Sequence, residues 1–179
     1  MRSEKRTSGR SDVKFIKDKV FSKGTLKDAR DELACYNDVC GHYFRLLYQL
    51  LKFIATNIPD SNYGVVRAVD DNQITDRNRN KNGSDGFKKD DLDFIEAEKM
   101  YSNMVRAFLD YDVTQILAVN CYCEDENSTY RRYKDLLERY NFLEHMPFEV
   151  RNVESPVLLE TRTYYSKEVF GKSDFMTDL

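Results

Sequence analysis

The chain has 179 residues, enough for one domain with a substantial core and too few for two of ordinary size. Its 28 Lys and Arg against 31 Asp and Glu give a net charge of -3, which excludes a protein-wide positive field for nucleic acid and leaves only a local patch for such a partner. Apolar residues make up 41% and charged residues 33%, with 12 Tyr, 11 Phe and no Trp, so the chain can bury a core and still carry a large polar remainder.

The first 30 residues hold 10 Lys and Arg against 4 Asp and Glu, and the rest hold 18 against 27. Residues 1–25 therefore read as a basic arm or leader helix, a solvated lead-in or an electrostatic attachment to an acidic surface. The opening MRSEKRTSGRSD lacks the apolar run of a secretory signal, and no apolar stretch approaches the roughly 18 residues of a membrane span. The expected location is cytoplasmic. There Cys35, Cys40, Cys121 and Cys123 read as free thiols, and their C-x4-C and C-x-C spacing beside His42 lacks paired zinc knuckles. No metal and no cofactor are expected.

From Leu26 to Ile58, Tyr36, Cys40, Tyr43, Leu47, Leu50, Ile54 and Ile58 recur at spacings of four and three, the apolar face of one long helix that Pro59 ends. A second row through Phe44 and Leu51 asks for cover on more than one side. Residues 70–91 have few apolar groups and no helical period, so they read as a long flexible loop. Phe94, Ala97, Tyr101, Met104 and Phe108 then predict a helix with Glu96, Lys99, Asn103, Arg106 and Asp110 on its polar face. Asp110 is placed to cap a new helix at Tyr111, with Val113, Ile116, Leu117 and Asn120 turned inward.

Ser128 is placed to cap a further helix, whose Tyr130, Tyr133, Leu136, Leu137, Tyr140 and Leu143 face the core before Pro147. Val157 to Tyr165 fits a short helix or an edge strand. The expected fold is all-α, a helical bundle of four to six helices over residues 26–150, with residues 151–179 as an extension packed on it. Tyr36, Tyr43, Tyr101, Tyr133 and Tyr140 are expected in the core.

The stretches Gly41–Ile54 (GHYFRLLYQLLKFI) and Arg106–Leu109 (RAFL) followed by Asn120 resemble the bacterial putative phage abortive infection protein family, abortive-infection C type. Its H-Y-F-R helix, Y-x-x-x-(L/V)-R-A-x-L segment, aliphatic run ending in Asn and K-x-L-(I/L)-E-x-Y helix all have counterparts here, the last as Lys134–His145 (KDLLERYNFLEH). Tyr165 to Gly171 resembles the family's closing motif, with Val169 in place of Ala. Asp110 and Val113 stand where the family has Ser and Glu of a capping box, so the cap is kept and the reciprocal bond is lost. The resemblance implies a role in defence against phage without supplying catalytic residues. The family usually carries membrane-spanning helices ahead of this region, which implies either the cytoplasmic part of a membrane-anchored protein or a version without the anchor.

Candidate binding residues are Asp38, His42, Arg45, Arg106 and Asn120. Asp38, His42, Arg45, Gln49 and Lys52 share one polar stripe, on which Asp38 can orient His42 beside Arg45 for phosphate binding or acid–base work. The bland origin of such a stripe is a solvated or ion-paired helix face. Arg106 is placed to cross to that stripe or to sit as a buried structural Arg, and Asn120 reads as a buried amide at a helix end.

Two function classes follow. The first is a sensor or interaction module that self-associates or meets a phage or host protein. The alternative is a metal-independent ribonuclease of the HEPN type acting on RNA through Arg139 and His145, or through His42 and Arg45 with Arg106. The R-x(4-6)-H match at Arg139 arises readily by chance among 14 arginines and two histidines.

Overall fold

The computed structural model describes residues 9–57, 89–125 and 128–173. Seven α-helices carry the described part of the chain, one more than the upper end of the range read from the sequence. They are α1 (Gly9–Val20), α2 (Leu26–Ala34), α3 (Asn37–Asn57), α4 (Lys89–Arg106), α5 (Tyr111–Asn120), α6 (Thr129–Arg139) and α7 (Pro156–Tyr164). A two-stranded hairpin, β1 (Glu149–Val150) and β2 (Val153–Glu154), precedes α7, and a short 3-10 turn, Lys167–Phe170, follows it. The described residues are all-α apart from that hairpin. Of the expected loop at 70–91, residues 70–88 lie outside the described residues and 89–91 begin α4.

Helix α5 is the centre. Every residue from Thr114 to Asn120 is buried, because α1, α2 and α7 all pack on it. Two of its buried side chains donate outward: Thr114 to the Asp110 carbonyl at 3.0 Å, and the Gln115 amide to the Pro147 and Glu149 carbonyls at 2.7 and 3.0 Å, while the Gln115 Oε1 is buried with no hydrogen-bond partner among the described residues. The predicted caps hold, since Asp110 accepts the Val113 N–H at 2.9 Å and Ser128 the Tyr130 N–H at 3.2 Å.

The single helix expected from Leu26 to Ile58 is two. Cys35 caps α2 through bonds to the Glu32 and Leu33 carbonyls, and Tyr36 starts the next turn by accepting from Val39 and Cys40. Neither Gly nor Pro marks this break. Helix α6 also ends earlier than expected. Asn141 takes the left-handed conformation (φ 51°), and the Asn141 and Phe142 N–H groups donate back to the Glu138 and Leu137 carbonyls, a Schellman closure. The N-terminal segment is not merely a solvated lead-in: α1 places Ile16 and Val20 in the core, and Lys17 pairs with Asp112.

The stretch after residue 150 is tied into the bundle. Val157, Leu158, Tyr165, Val169 and Phe170 are buried. Glu160 of α7 accepts the Leu26 N–H that opens α2 (2.6 Å), and Lys134 of α6 donates to the Tyr164 carbonyl that closes α7 (2.7 Å). The Leu143 N–H donates to the Val169 carbonyl (3.0 Å), and the Tyr165 hydroxyl to the Ala118 carbonyl (2.7 Å). The hairpin turns on Arg151 and Asn152, both at positive φ (56° and 62°), the two-residue connection that matches strand twist.

Candidate functional site

Helix α3 has three faces. Phe44, Leu47, Leu51, Ile54 and Ala55 are buried. The predicted polar stripe of Asp38, His42, Arg45, Gln49 and Lys52 is exposed throughout. On the third face, Val39, Tyr43, Leu46, Leu50 and Phe53 stand 42–70% exposed at spacings of four, three, four and three. Tyr43 and Leu50, expected inside, therefore lie outside, and the row through Phe44 and Leu51 is the buried one.

Helix α4 reverses the expected sidedness further. Its Tyr101 and Met104, with Met100 and with Phe108 two residues past its end, are 44–88% exposed, while Glu98 and Ser102 are buried. The cause is an ion pair. Arg139 grips the Glu98 carboxylate through Nε at 2.7 Å and Nη2 at 2.9 Å, and the Tyr140 hydroxyl donates to the same carboxylate at 3.0 Å. Burial opposes the charge on Arg139, but the Glu98 bonds outweigh it and raise its pKa. Glu98 is fixed inward, so the helix must turn its apolar row to the surface.

The polar candidates separate. Arg45 Nη2 lies 3.1 Å from His42 Nδ1, and because a guanidinium only donates, that nitrogen accepts. Asp38 was expected to orient His42, and among the described residues no hydrogen bond joins them. Arg106 does not cross to the stripe: it donates to the Asn141 carbonyl (2.6 Å) and pairs with Glu144 (2.8 Å). Burial works against ionisation of Glu144, yet the Lys172 N–H and the Arg106 guanidinium hold its carboxyl below the usual range. His145, exposed and six residues past the end of α6, lines with Arg106, Asn103 and Phe142 a cavity of about 220 Å³ from which Arg139 is absent.

Arg45 and Asn120 do meet. Both line a larger cavity of about 300 Å³ between α3, the end of α5 and the start of α6. Its walls are the rings of Phe44, Tyr48, Tyr130 and Tyr133, the last two contributed by α6, and Tyr48 and Tyr133 meet at a tilt of 53° with 5.3 Å between centroids. Gln49 and Asn37 add amides, and the Asn120 side chain also reaches the Cys121 thiol, whose pKa burial pushes well up. Sequence periodicity marked Tyr133 as a core residue, which it is at 4% exposure, but among the described residues its hydroxyl has no hydrogen-bond partner. The exposed apolar row on α3 was legible only as a 4-3-4-3 spacing shared with the rows that are buried.

The family of description "Putative phage abortive infection protein" matches residues 35–150, from the end of α2 through the hairpin's first strand. No curated protein and no solved structure matches significantly. Among the described residues no helix is long and apolar enough to cross a membrane. The match covers most of the chain, including α3, α5 and α6, which frame the larger cavity, and it supports a place in defence against phage. The chain belongs to the putative phage abortive infection protein family.

Proposed function

We propose that this protein acts in abortive infection as an interaction module that docks through the outward apolar faces of α3 and α4, and that the first occupant is a second copy of the same chain. The observation that carries the reading is the exposed row Val39, Tyr43, Leu46, Leu50 and Phe53. Its 4-3-4-3 spacing is the seam of a coiled coil, a pattern that complements itself when two such helices meet. Isolated apolar side chains on a surface need no explanation, but four turns of one helix beside the exposed Met100, Met104 and Phe108 of its packing neighbour form a patch that water disfavours.

Leu46→Glu with Phe53→Glu places charge in the seam at positions 70% and 61% exposed, so the monomer fold is spared. The expected result is a molar mass falling from a multiple of 21.1 kDa to a single copy, together with loss of phage protection in plaque assays of the intact operon. A wild-type protein that is monomeric at all accessible concentrations overturns self-association. Phage yield unchanged with and without the gene, across a broad phage panel, overturns the defence role. RNA cleavage by the purified protein that disappears in His42→Ala or His145→Ala would place it in the ribonuclease class instead.

A further inference from the structure

The cavity bounded by α3, α5 and α6 is built differently from the apolar seam and bears on a small ligand. Its aromatic walls are one requirement for a flat ring, which stacks on Tyr or Phe faces whatever its identity. The Tyr133 hydroxyl is a second. Tyr133 lines the cavity at 4% exposure, and among the described residues its buried hydroxyl has no hydrogen-bond partner, so a donor or acceptor brought within its reach satisfies it. The Asn120 amide, 8% exposed and on the same wall, offers a donor and an acceptor side by side, the arrangement that reads the edge of a heterocyclic base.

One cation lines the cavity and a second lies against one of its wall rings. Arg45 lines the cavity, and the Arg30 guanidinium lies 4.6 Å from the centroid of the Tyr130 ring that forms its wall. Among the described residues neither arginine has a carboxylate within ion-pair distance. Thr129 and Tyr130 belong to the first turn of α6, whose N-terminal dipole adds to the field. A volume of about 300 Å³ is at the small end of ligand sites and suits one nucleotide.

We propose that this cavity binds a single nucleotide, its base against the tyrosine walls with its edge on Asn120 and the Tyr133 hydroxyl, and its phosphate on Arg45. The nucleotide is either free or one unit of a single-stranded RNA. This proposal does not depend on self-association through α3, because the seam residues are not part of the cavity wall.

The full chain is titrated by calorimetry with AMP, GMP, CMP and UMP, and with single-stranded RNA hexamers of each base. At least one base is expected to bind saturably. Arg45→Ala and Tyr133→Phe should each weaken it about tenfold, the worth of a lost charge-assisted or buried hydrogen bond. Tyr133→Phe should leave the melting temperature of the ligand-free protein unchanged or raised, which separates lost recognition from lost structure. A monophosphate that binds as tightly as the hexamer identifies a free nucleotide as the source, and a hexamer preferred tenfold or more identifies RNA. No saturable binding up to millimolar concentration overturns the proposal, as does binding that neither substitution weakens.

Discussion

Replacing Arg139 by Met keeps the aliphatic stem and removes the guanidinium, and its effect follows from an asymmetry in the pair. The Glu98 side chain is 1% exposed and that of Arg139 20%, so the carboxylate has less access to replacement water than the guanidinium. Arg139→Met removes two charge-assisted bonds from a buried anion, a change that costs about 3 kcal/mol at the lower end of broken buried pairs. Glu98→Gln should cost only about 1 kcal/mol, since the amide oxygen still accepts and Arg139 reaches solvent. The double change Glu98→Leu with Arg139→Met removes both charges together and should recover most of the loss. Urea unfolding of the four proteins measures the order, and the single Arg139 variant should melt roughly 6–12 °C lower. Stability within about 1 kcal/mol of wild type for Arg139→Met would refute the reasoning and release Arg139 for chemistry, because a catalytic arginine is replaceable without loss of fold.

Two further outcomes rest on the Glu144 corner. Gly171 sits at φ 51° and ψ -131°, a conformation that side chains avoid, and a Cβ there would come within 2.9 Å of the Glu144 carboxyl; Gly171→Ala should lower stability by about 2–4 kcal/mol, read by thermal unfolding. Glu144 has a folded pKa below its ordinary 4.5, so its contribution is fully present above that value and is lost as pH falls through the lower folded pKa. The stability gap between wild type and Glu144→Gln, measured by urea titration, should therefore stay constant from about pH 8 to 6 and close below 4.5.

Helix identity was legible because strong periods and short polar caps are local signals. Asp110 and Ser128 announced the starts of α5 and α6, and the structure places both as caps. What periodicity could not settle was orientation. Apolar residues nearly surround α3, so two rows of equal spacing compete, and which one is buried depends on partners remote in sequence. On α4 the local pattern pointed the wrong way, because a single buried carboxylate and its partner on α6 outweigh an apolar row that has water on its other side. Tyr101 followed its row outward for that reason, and Tyr43 because the competing row through Phe44 and Leu51 is the buried one. The cavity was half visible: Arg45 and Asn120 were singled out separately, but their convergence needs α3 and α6 to pack side by side, and the unpaired Tyr133 hydroxyl leaves no trace in a sequence. Arg106 found Asn141 and Glu144 across a turn that only the left-handed Asn141 creates.

Helices far apart in sequence finish one another here: Glu160 closes the start of α2, Lys134 closes the end of α7, and the Val169 carbonyl receives the Leu143 N–H. A contact that spans 134 positions forms only once both of its ends have been made, and its loop-closure cost makes it late. Residues 35–150, the stretch shared with the family, therefore acquire their last bonds only once residues 156–170 have been translated. A nascent chain stalled before that point holds an unfinished bundle, with α2 lacking the bond at its start and Lys134 the carbonyl at the end of α7.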